Sequence, residues 1–143
     1  MREIVTAVEM KELDRNTIQK AGIPSPVLME RAALKTVEEI VQRLKNKEKE
    51  KILVVCGTGN NGGDGLAIAR LLQLRGVRTW YYIAGKEEKM TAETAGQLKT
   101  AEYYQVPRVH NLDPDEYTTI VDAIFGVGLS RPVEGKYAEL IST

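Results

Sequence analysis

The run Cys56-Gly57-Thr58-Gly59-Asn60-Asn61-Gly62-Gly63-Asp64-Gly65-Leu66 constrains this chain more than any other stretch. Five glycines fall within nine positions, directly after an apolar strand-like segment and directly before a helix-like one. Glycine loses the most conformational entropy on folding, so such crowding points to backbone that turns tightly or lies against something. A strand-to-helix turn aims backbone N–H groups and a helix N-terminus at one spot, which attracts anions and phosphate above all. Asn60 and Asn61 add short amides that both donate and accept hydrogen bonds. Asp64 reads as the N-cap of a helix starting at Gly65 or Leu66.

Gly57-x-Gly59-x-x-Gly62 matches the dinucleotide-binding pattern, but that pattern also asks for an acid at the end of the second strand. The second strand here ends near Tyr81-Tyr82-Ile83-Ala84 and is followed by Gly85-Lys86, with no carboxylate at its tip. There is no Gly-Lys-Ser/Thr for a P-loop. The run is therefore a phosphate-friendly loop of another kind or a tight turn that lets helix and strand pack, and the two asparagines favour the former.

Around it the chain alternates. Thr6-x-x-Glu9 reads as a capping box opening a helix to about Lys20, with Gly22 as a stop. Ser25-Pro26 predicts an N-cap followed by proline at the first helical position. The second helix carries Leu28, Ala32, Ala33, Val37, Ile40, Val41 and Leu44 as an apolar stripe, in which Met29 and Arg31 have no evident duty. Lys45–Lys51 is a charged connection. Ile52–Cys56 is a continuous apolar run, as expected of a central parallel strand. After the glycine run come a helix to Arg75 closed by Gly76, a strand over Val77–Ile83, a helix over Thr91–Tyr104, a short strand at Val106–Val109, a buried strand over Thr118–Ile124, and helix from Tyr137 onward. This pattern predicts one α/β domain over residues 1–143, with a parallel sheet and helices on both faces. Ligands bind such sheets beyond the carboxyl ends of the strands, where the glycine run and Asp122 both fall.

Composition narrows the function. Twenty basic and twenty acidic side chains balance, which argues against nucleic acid or a membrane surface as partner. No apolar run reaches membrane-span length, and the N-terminus lacks a signal-peptide pattern. The single cysteine, Cys56, reads as a small buried hydrophobe, and without an internal disulfide the expected location is cytoplasmic. A chain of this length buries roughly 68% of its unfolded surface, enough for a core.

The second unusual run is Val121-Asp122-Ala123-Ile124-Phe125-Gly126-Val127-Gly128-Leu129-Ser130-Arg131-Pro132. A carboxylate inside an apolar strand is costly unless paired, hydrogen-bonded or bound to a cation. Asp122 either caps the following turn or serves as a catalytic or cation-binding group facing the crevice. Gly126 and Gly128 let backbone approach a ligand, and Ser130 and Arg131 suit a phosphate.

Together the two runs carry a resemblance. Gly-Asn-Asn-Gly-Gly-Asp-Gly at 59–65 followed by Leu66-Ala67-x-Ala69-Arg70, and the run from Val121 to Pro132, resemble the two signatures of the NAD(P)H-hydrate epimerases, the YjeF N-terminal domain family. Glu9-Met10-x-x-Leu13-Asp14, Gly22-Ile23-Pro24 and Leu28-Met29-Glu30-Arg31-Ala32 fit as well, so the resemblance covers essentially the whole chain. It implies a three-layer Rossmann-like fold and an isomerase that interconverts the R and S forms of hydrated reduced nicotinamide nucleotide, NADHX or NADPHX. A dehydratase specific for the S form then restores NAD(P)H. It further implies that Asn60, Asn61, Gly62, Gly63 and Asp64, with Gly126, Val127, Gly128, Leu129, Ser130, Arg131 and Pro132, line the substrate site. Asn61 and Asp122 are implied as ligands of a potassium ion. The family domain normally continues through a Val-Asp-Ile-Pro-Ser-Gly type motif, which does not occur before Thr143. The expectation is thus a domain without its C-terminal third, its sheet left with open edges that favour a homodimer.

The hydrated carbon is a carbinolamine centre. Loss of hydroxide assisted by the ring nitrogen, then return of water to the other face, needs an acid and a base. Asp122 is the first candidate, since burial raises a carboxylate pKa. Lys86, beyond the second strand, is the second, where the resemblance also implies a lysine. Its other reading is a solvated lysine in a Gly-Lys-Glu-Glu loop. His110 has no role. Two competing functions are a nucleotide-binding or scaffolding module without turnover, and a nicotinamide-dependent oxidoreductase, against which the missing acid speaks.

Overall fold

The computed structural model describes residues 2–5 and 24–130, with the backbone alone at 2–5, Ser25 and Ser130. In chain order these are strand β1 (Arg2–Val5), helix α1 (Ser25–Arg43), β2 (Lys51–Cys56), α2 (Asn60–Leu74), β3 (Arg78–Ile83), α3 (Ala92–Tyr103), β4 (Thr119–Ala123) and β5 (Val127–Ser130). Single-turn 3₁₀ helices at Glu87–Lys89 and Pro114–Glu116 complete the list of helical segments among the described residues. The helices expected over Thr6–Lys20, with its stop at Gly22, and from Tyr137 onward lie outside them.

The strands form one sheet in the order β1-β5-β4-β2-β3. β2 pairs in parallel with β3 on one side and with β4 on the other, Val55 lying opposite Tyr82 and Asp122. This is the expected α/β, Rossmann-like arrangement, with β2 central. Its apolar run is explained by burial on both faces: Ile52 to Cys56 are wholly inaccessible.

The sheet is mixed rather than parallel throughout. β5 runs antiparallel to β4, with Asp122 opposite Gly128, and β1 runs antiparallel to β5. A run of three residues, Ile124–Gly126, joins β4 to β5, too short for the crossover that parallel pairing demands. The segment Val106–Val109, expected as a strand, makes one parallel bridge, Arg108 to Tyr81, at the edge of β3. Pro107 lacks an N–H, so this segment cannot extend a ladder there; its carbonyl accepts from Tyr81 N–H and Tyr81 carbonyl accepts from Val109 N–H.

Alternation along the strands divides the core. Ile52, Val54, Cys56, Tyr81, Ile83 and Val121 face the helices, where they pack with Val37 and Ile40 of α1, Leu66, Ile68 and Leu72 of α2, and Leu98 and Ala101 of α3. Leu53, Val55, Ile120 and Tyr117 form a second cluster on the opposite face, covered among the described residues by Trp80, Tyr82, Leu112 and Val109 rather than by a helix. Tyr117 meets Trp80 edge-on at 5.8 Å.

Two helix starts differ from expectation. α1 has Pro24, not Ser25, at its N-cap. α2 begins at Asn60 with Gly59 as N-cap, so Asp64 is not a cap but a buried residue of the second turn. Poor helix formers occupy this first turn because side chains would not fit there. A Cβ at Gly62 would stand 1.7 Å from the Gly57 carbonyl oxygen; at Gly65 it would lie 2.6 Å from Ala123 Cβ and 2.9 Å from Cys56 Sγ. A Cβ at Gly59 would meet nothing within 4 Å.

These distances rank the glycines. Gly62→Ala prevents folding or costs about 3 kcal/mol or more, since backbone must move, and Gly65→Ala costs about 1–3 kcal/mol through overpacking. Gly59→Ala stays within about 1 kcal/mol. Urea unfolding of the three variants checks the order.

Candidate functional site

The carboxyl ends of β2, β3 and β4 meet around the glycine turn. Gly57 N–H donates to the Ala123 carbonyl of β4 (3.1 Å), Ala84 N–H beyond β3 donates to Cys56 carbonyl (2.8 Å), and Thr91 N–H at the start of α3 donates to Thr58 carbonyl (3.1 Å). Gly57 also lies flat on the turn after β4: a Cβ there would be 3.3 Å from both Ile124 Cα and its carbonyl oxygen. Backbone from four elements is thus drawn onto one corner, with the N-terminus of α2 at its centre.

Asn61 projects from the first turn of α2 and donates through Nδ2 to the Ile124 carbonyl at 3.5 Å. That acceptor fixes the amide's orientation, because the reverse would set two oxygens against each other. Asn61 Oδ1 is left buried with no hydrogen-bond partner among the described residues. An unpaired buried acceptor is uncommon and points to a donor or cation that the described residues do not supply.

Asp122 bonds the same residue on the other side of its Cα: Asp122 Oδ1 accepts from Ile124 N–H at 3.0 Å. The carboxylate therefore does cap the turn after β4, one of its two expected readings. The residue is 7% exposed. Desolvation raises its pKa above the usual carboxylate value, opposed only in part by the Ile124 hydrogen bond. Its register neighbours are Val55 on β2 and Gly128 on β5. Residues paired across a sheet project from the same face, so Gly128, itself buried, sets no side chain against that flank of Asp122.

The other expected site residues divide. Asn60 is exposed on the first turn of α2, Gly62, Gly63 and Asp64 are buried in its first two turns, and Gly126 is half-buried in the turn beside exposed Phe125. Val127 and Leu129 point instead into the helix-side core, alternating with Gly128 along β5. Ser130 ends that strand; Arg131 and Pro132 lie outside the described residues. Lys86 follows Gly85, whose positive φ (+123°) and close approach to Thr58 bring the end of β3 against the glycine turn. With β2 between β3 and β4, Tyr82 lies two strand spacings, roughly 10 Å, from Asp122; Lys86 follows four residues further along the chain, and its side chain is exposed. Cys56 is wholly buried, and burial pushes its thiol far above the usual range, consistent with an inert packing residue.

Sequence reading missed the residues that hold the corner. Thr94 Oγ1 donates to the Gly59 carbonyl at 2.7 Å, and Met29, given no duty by the helical stripe, is buried near Gly63 and accepts from Gln97 Nε2 at its sulfur. Glu30 of α1 pairs with the buried Arg70 of α2, which also lies over the Tyr104 ring. The signal for Thr94 was available in Thr91-x-x-Thr94, where Thr91 caps α3 by accepting from Thr94 N–H.

Asp122 gives a pH test. A carboxyl whose folded pKa is raised favours the folded state when protonated, so its contribution is full below the unfolded value near 3.9 and is lost as pH rises through the folded pKa. Asp122→Asn, which keeps an acceptor for Ile124 N–H, therefore melts above the parent at pH 7 in potassium-free buffer. The difference shrinks toward pH 4. Thermal melts across that range check both signs.

The chain is similar to known proteins in sequence and in fold. The family described as YjeF-related protein N-terminus matches residues 25–143. An NAD(P)H-hydrate epimerase of Oenococcus oeni is 48% identical over 138 residues, covering 96% of this chain and 65% of that protein. The enzyme of the same name from Lentilactobacillus buchneri is 44% identical over 142 residues, covering 99% and 66%. A crystal structure of the yeast protein YNL200c superposes with a TM-score of 0.68 at 25% identity, covering 96% of this chain and 64% of the yeast chain. The chain spans about two thirds of the length of these relatives. By the extent of the family match and the identity to its members, the chain belongs to the family of YjeF-related protein N-termini.

Proposed function

We propose that the protein is an NAD(P)H-hydrate epimerase, interconverting the R and S forms of NADHX or NADPHX. The observation that carries this is the backbone of Ile124, whose N–H is held by Asp122 and whose carbonyl is held by Asn61. It joins the two sequence signatures into one corner beside a helix N-terminus. The name shared by relatives at 44–48% identity supports the same reading.

In this proposal the first N–H groups of α2, with Asn60 and Gly62 to Asp64, receive the substrate's pyrophosphate. The turn at Gly126 and the flank at Gly128, free of a side chain, admit the hydrated ring beside Asp122. Asp122, whose carboxyl burial shifts toward the protonated form, gives a proton to the departing hydroxyl. The ring nitrogen's lone pair takes up the bond left behind, and the carboxylate then draws a proton from water entering on the other face. Lys86 stands across the strand ends as a second proton carrier. Val127, Leu129 and Ser130 belong to the proposed substrate-binding segment through their backbone, and Arg131 and Pro132 through sequence position alone.

A potassium ion fits the donor set. Asn61 Oδ1 is an orphaned buried oxygen and Asp122 is a carboxylate nearby, both hard ligands suited to a cation without redox chemistry. Among the described residues no cluster of three or more His, Cys, Asp or Glu side chains suited to a metal is present, so the candidate ligands are the Asn61 amide oxygen and the Asp122 carboxylate. The ion would supply fixed positive charge next to substrate oxygens.

We further propose that the protein acts as a homodimer in the cytoplasm, supplying a dehydratase with its S-form substrate. Exposed Val27 and Leu34, seven residues apart on α1, offer apolar surface for the dimer. No helix among the described residues is long and apolar enough to cross a membrane.

Chromatographic interconversion of the R and S forms, corrected for the spontaneous rate, tests the proposal. The chain accelerates it, Asp122→Asn slows the catalysed rate by about 100-fold or more, and Asn61→Ala raises the potassium concentration needed for half-maximal rate. Binding of NADHX without acceleration would leave a nucleotide-binding module.

A further inference from the structure

We propose that Thr94 is a positioning residue: its hydroxyl fixes the N-cap of α2 and thereby the substrate-binding turn, an inference that rests on the epimerase reading above. Thr94 is wholly buried, on the first turn of α3, far in sequence from either signature. Its Oγ1 donates to the Gly59 carbonyl at 2.7 Å and accepts from Thr91 Oγ1 at 3.0 Å. The same Gly59 carbonyl accepts Gly62 N–H at 3.0 Å. The hydroxyl therefore stands in a relay from Thr91 through Thr94 to the residue that opens α2, in a place where water cannot substitute.

Two neighbouring contacts make this a clamp rather than an isolated bond. Thr91 N–H holds the Thr58 carbonyl one residue before Gly59. Thr94 also sits directly on Gly63, where a Cβ would come within 3.0 Å of Oγ1. α3 thus grips the turn at Thr58, Gly59 and Gly63, leaving Asn60 and Asn61 between fixed points. Gly59 has no side chain and open space where one would stand, so no side-chain packing of its own holds it and its position rests on these hydrogen bonds. Loss of the Thr94 hydroxyl releases the carbonyl that starts α2 and lets the Asn60–Asn61 amides drift from the phosphate, without touching Asp122.

The test compares Thr94→Val, which keeps shape but not the hydroxyl, with Thr94→Ser, which keeps the hydroxyl but not the methyl. Thr94→Val is expected to raise KM for NADHX by about tenfold while kcat changes by less than about threefold. Thr94→Ser is expected to stay within about twofold of the parent in both, even where its melting temperature falls as far as that of the valine variant. Amide hydrogen exchange at residues 59–63 is expected to quicken by about tenfold in Thr94→Val only. Unchanged kinetics in Thr94→Val, or equal loss in the serine variant, would overturn the proposal. If the parent chain itself fails to accelerate epimerisation, the epimerase reading falls and the exchange comparison decides the clamp alone: unchanged exchange at 59–63 would overturn it.

Discussion

The closeness with which backbone meets backbone at the glycine turn governs the rest of this structure. Gly62 stacks on the carbonyl of Gly57 and Gly65 lies against Ala123 and Cys56, both at separations that any side chain would abolish. That approach lets α2 start immediately at the end of β2 instead of after a loop. It also lets Gly57 lie on Ile124 and bond to Ala123, so the ends of two adjacent parallel strands become one surface. Poor helix propensity in the first turn is the local cost, offset by packing that only glycine permits.

From that surface the chemistry follows by geometry. The Ile124 backbone offers an N–H and a carbonyl, and Asp122 and Asn61 take one each. The carboxylate is thereby held in a buried place that favours its neutral form, while Asn61 turns an unpaired oxygen toward the same corner. A group that must both release and accept a proton benefits from such a shifted pKa. The antiparallel hairpin from β4 to β5 contributes by absence: opposite Asp122 it places Gly128, while its larger residues Val127 and Leu129 turn to the helix-side core.

Much of this was legible in the residues. The apolar run of β2, the β-branched and aromatic run of β3 and the stripe of α1 each follow from periodicity, and the two signatures lie at strand ends as the α/β pattern requires. The start of α2 was not legible, because local propensity places Asn-Asn-Gly-Gly outside a helix and only the contacts of Gly62, Gly63 and Gly65 reverse that. β5 escaped for a related reason: Val127-Gly128-Leu129-Ser130 carries a glycine in mid-strand, which reads as a ligand-approach loop until its partner β4 is in place. The orphaned oxygen of Asn61 and the grip of Thr94 on Gly59 arise between segments distant in sequence, and no spacing within either segment encodes them.

The central claim is that substrate sits at the carboxyl edge, where the Ile124 backbone joins the two signatures. Backbone amide resonances recorded as NADHX is added test it most directly. The account predicts shifts concentrated at Thr58–Asp64 and Ile124–Leu129. Shifts concentrated instead around Gly76–Trp80, at the opposite end of the sheet, would contradict it.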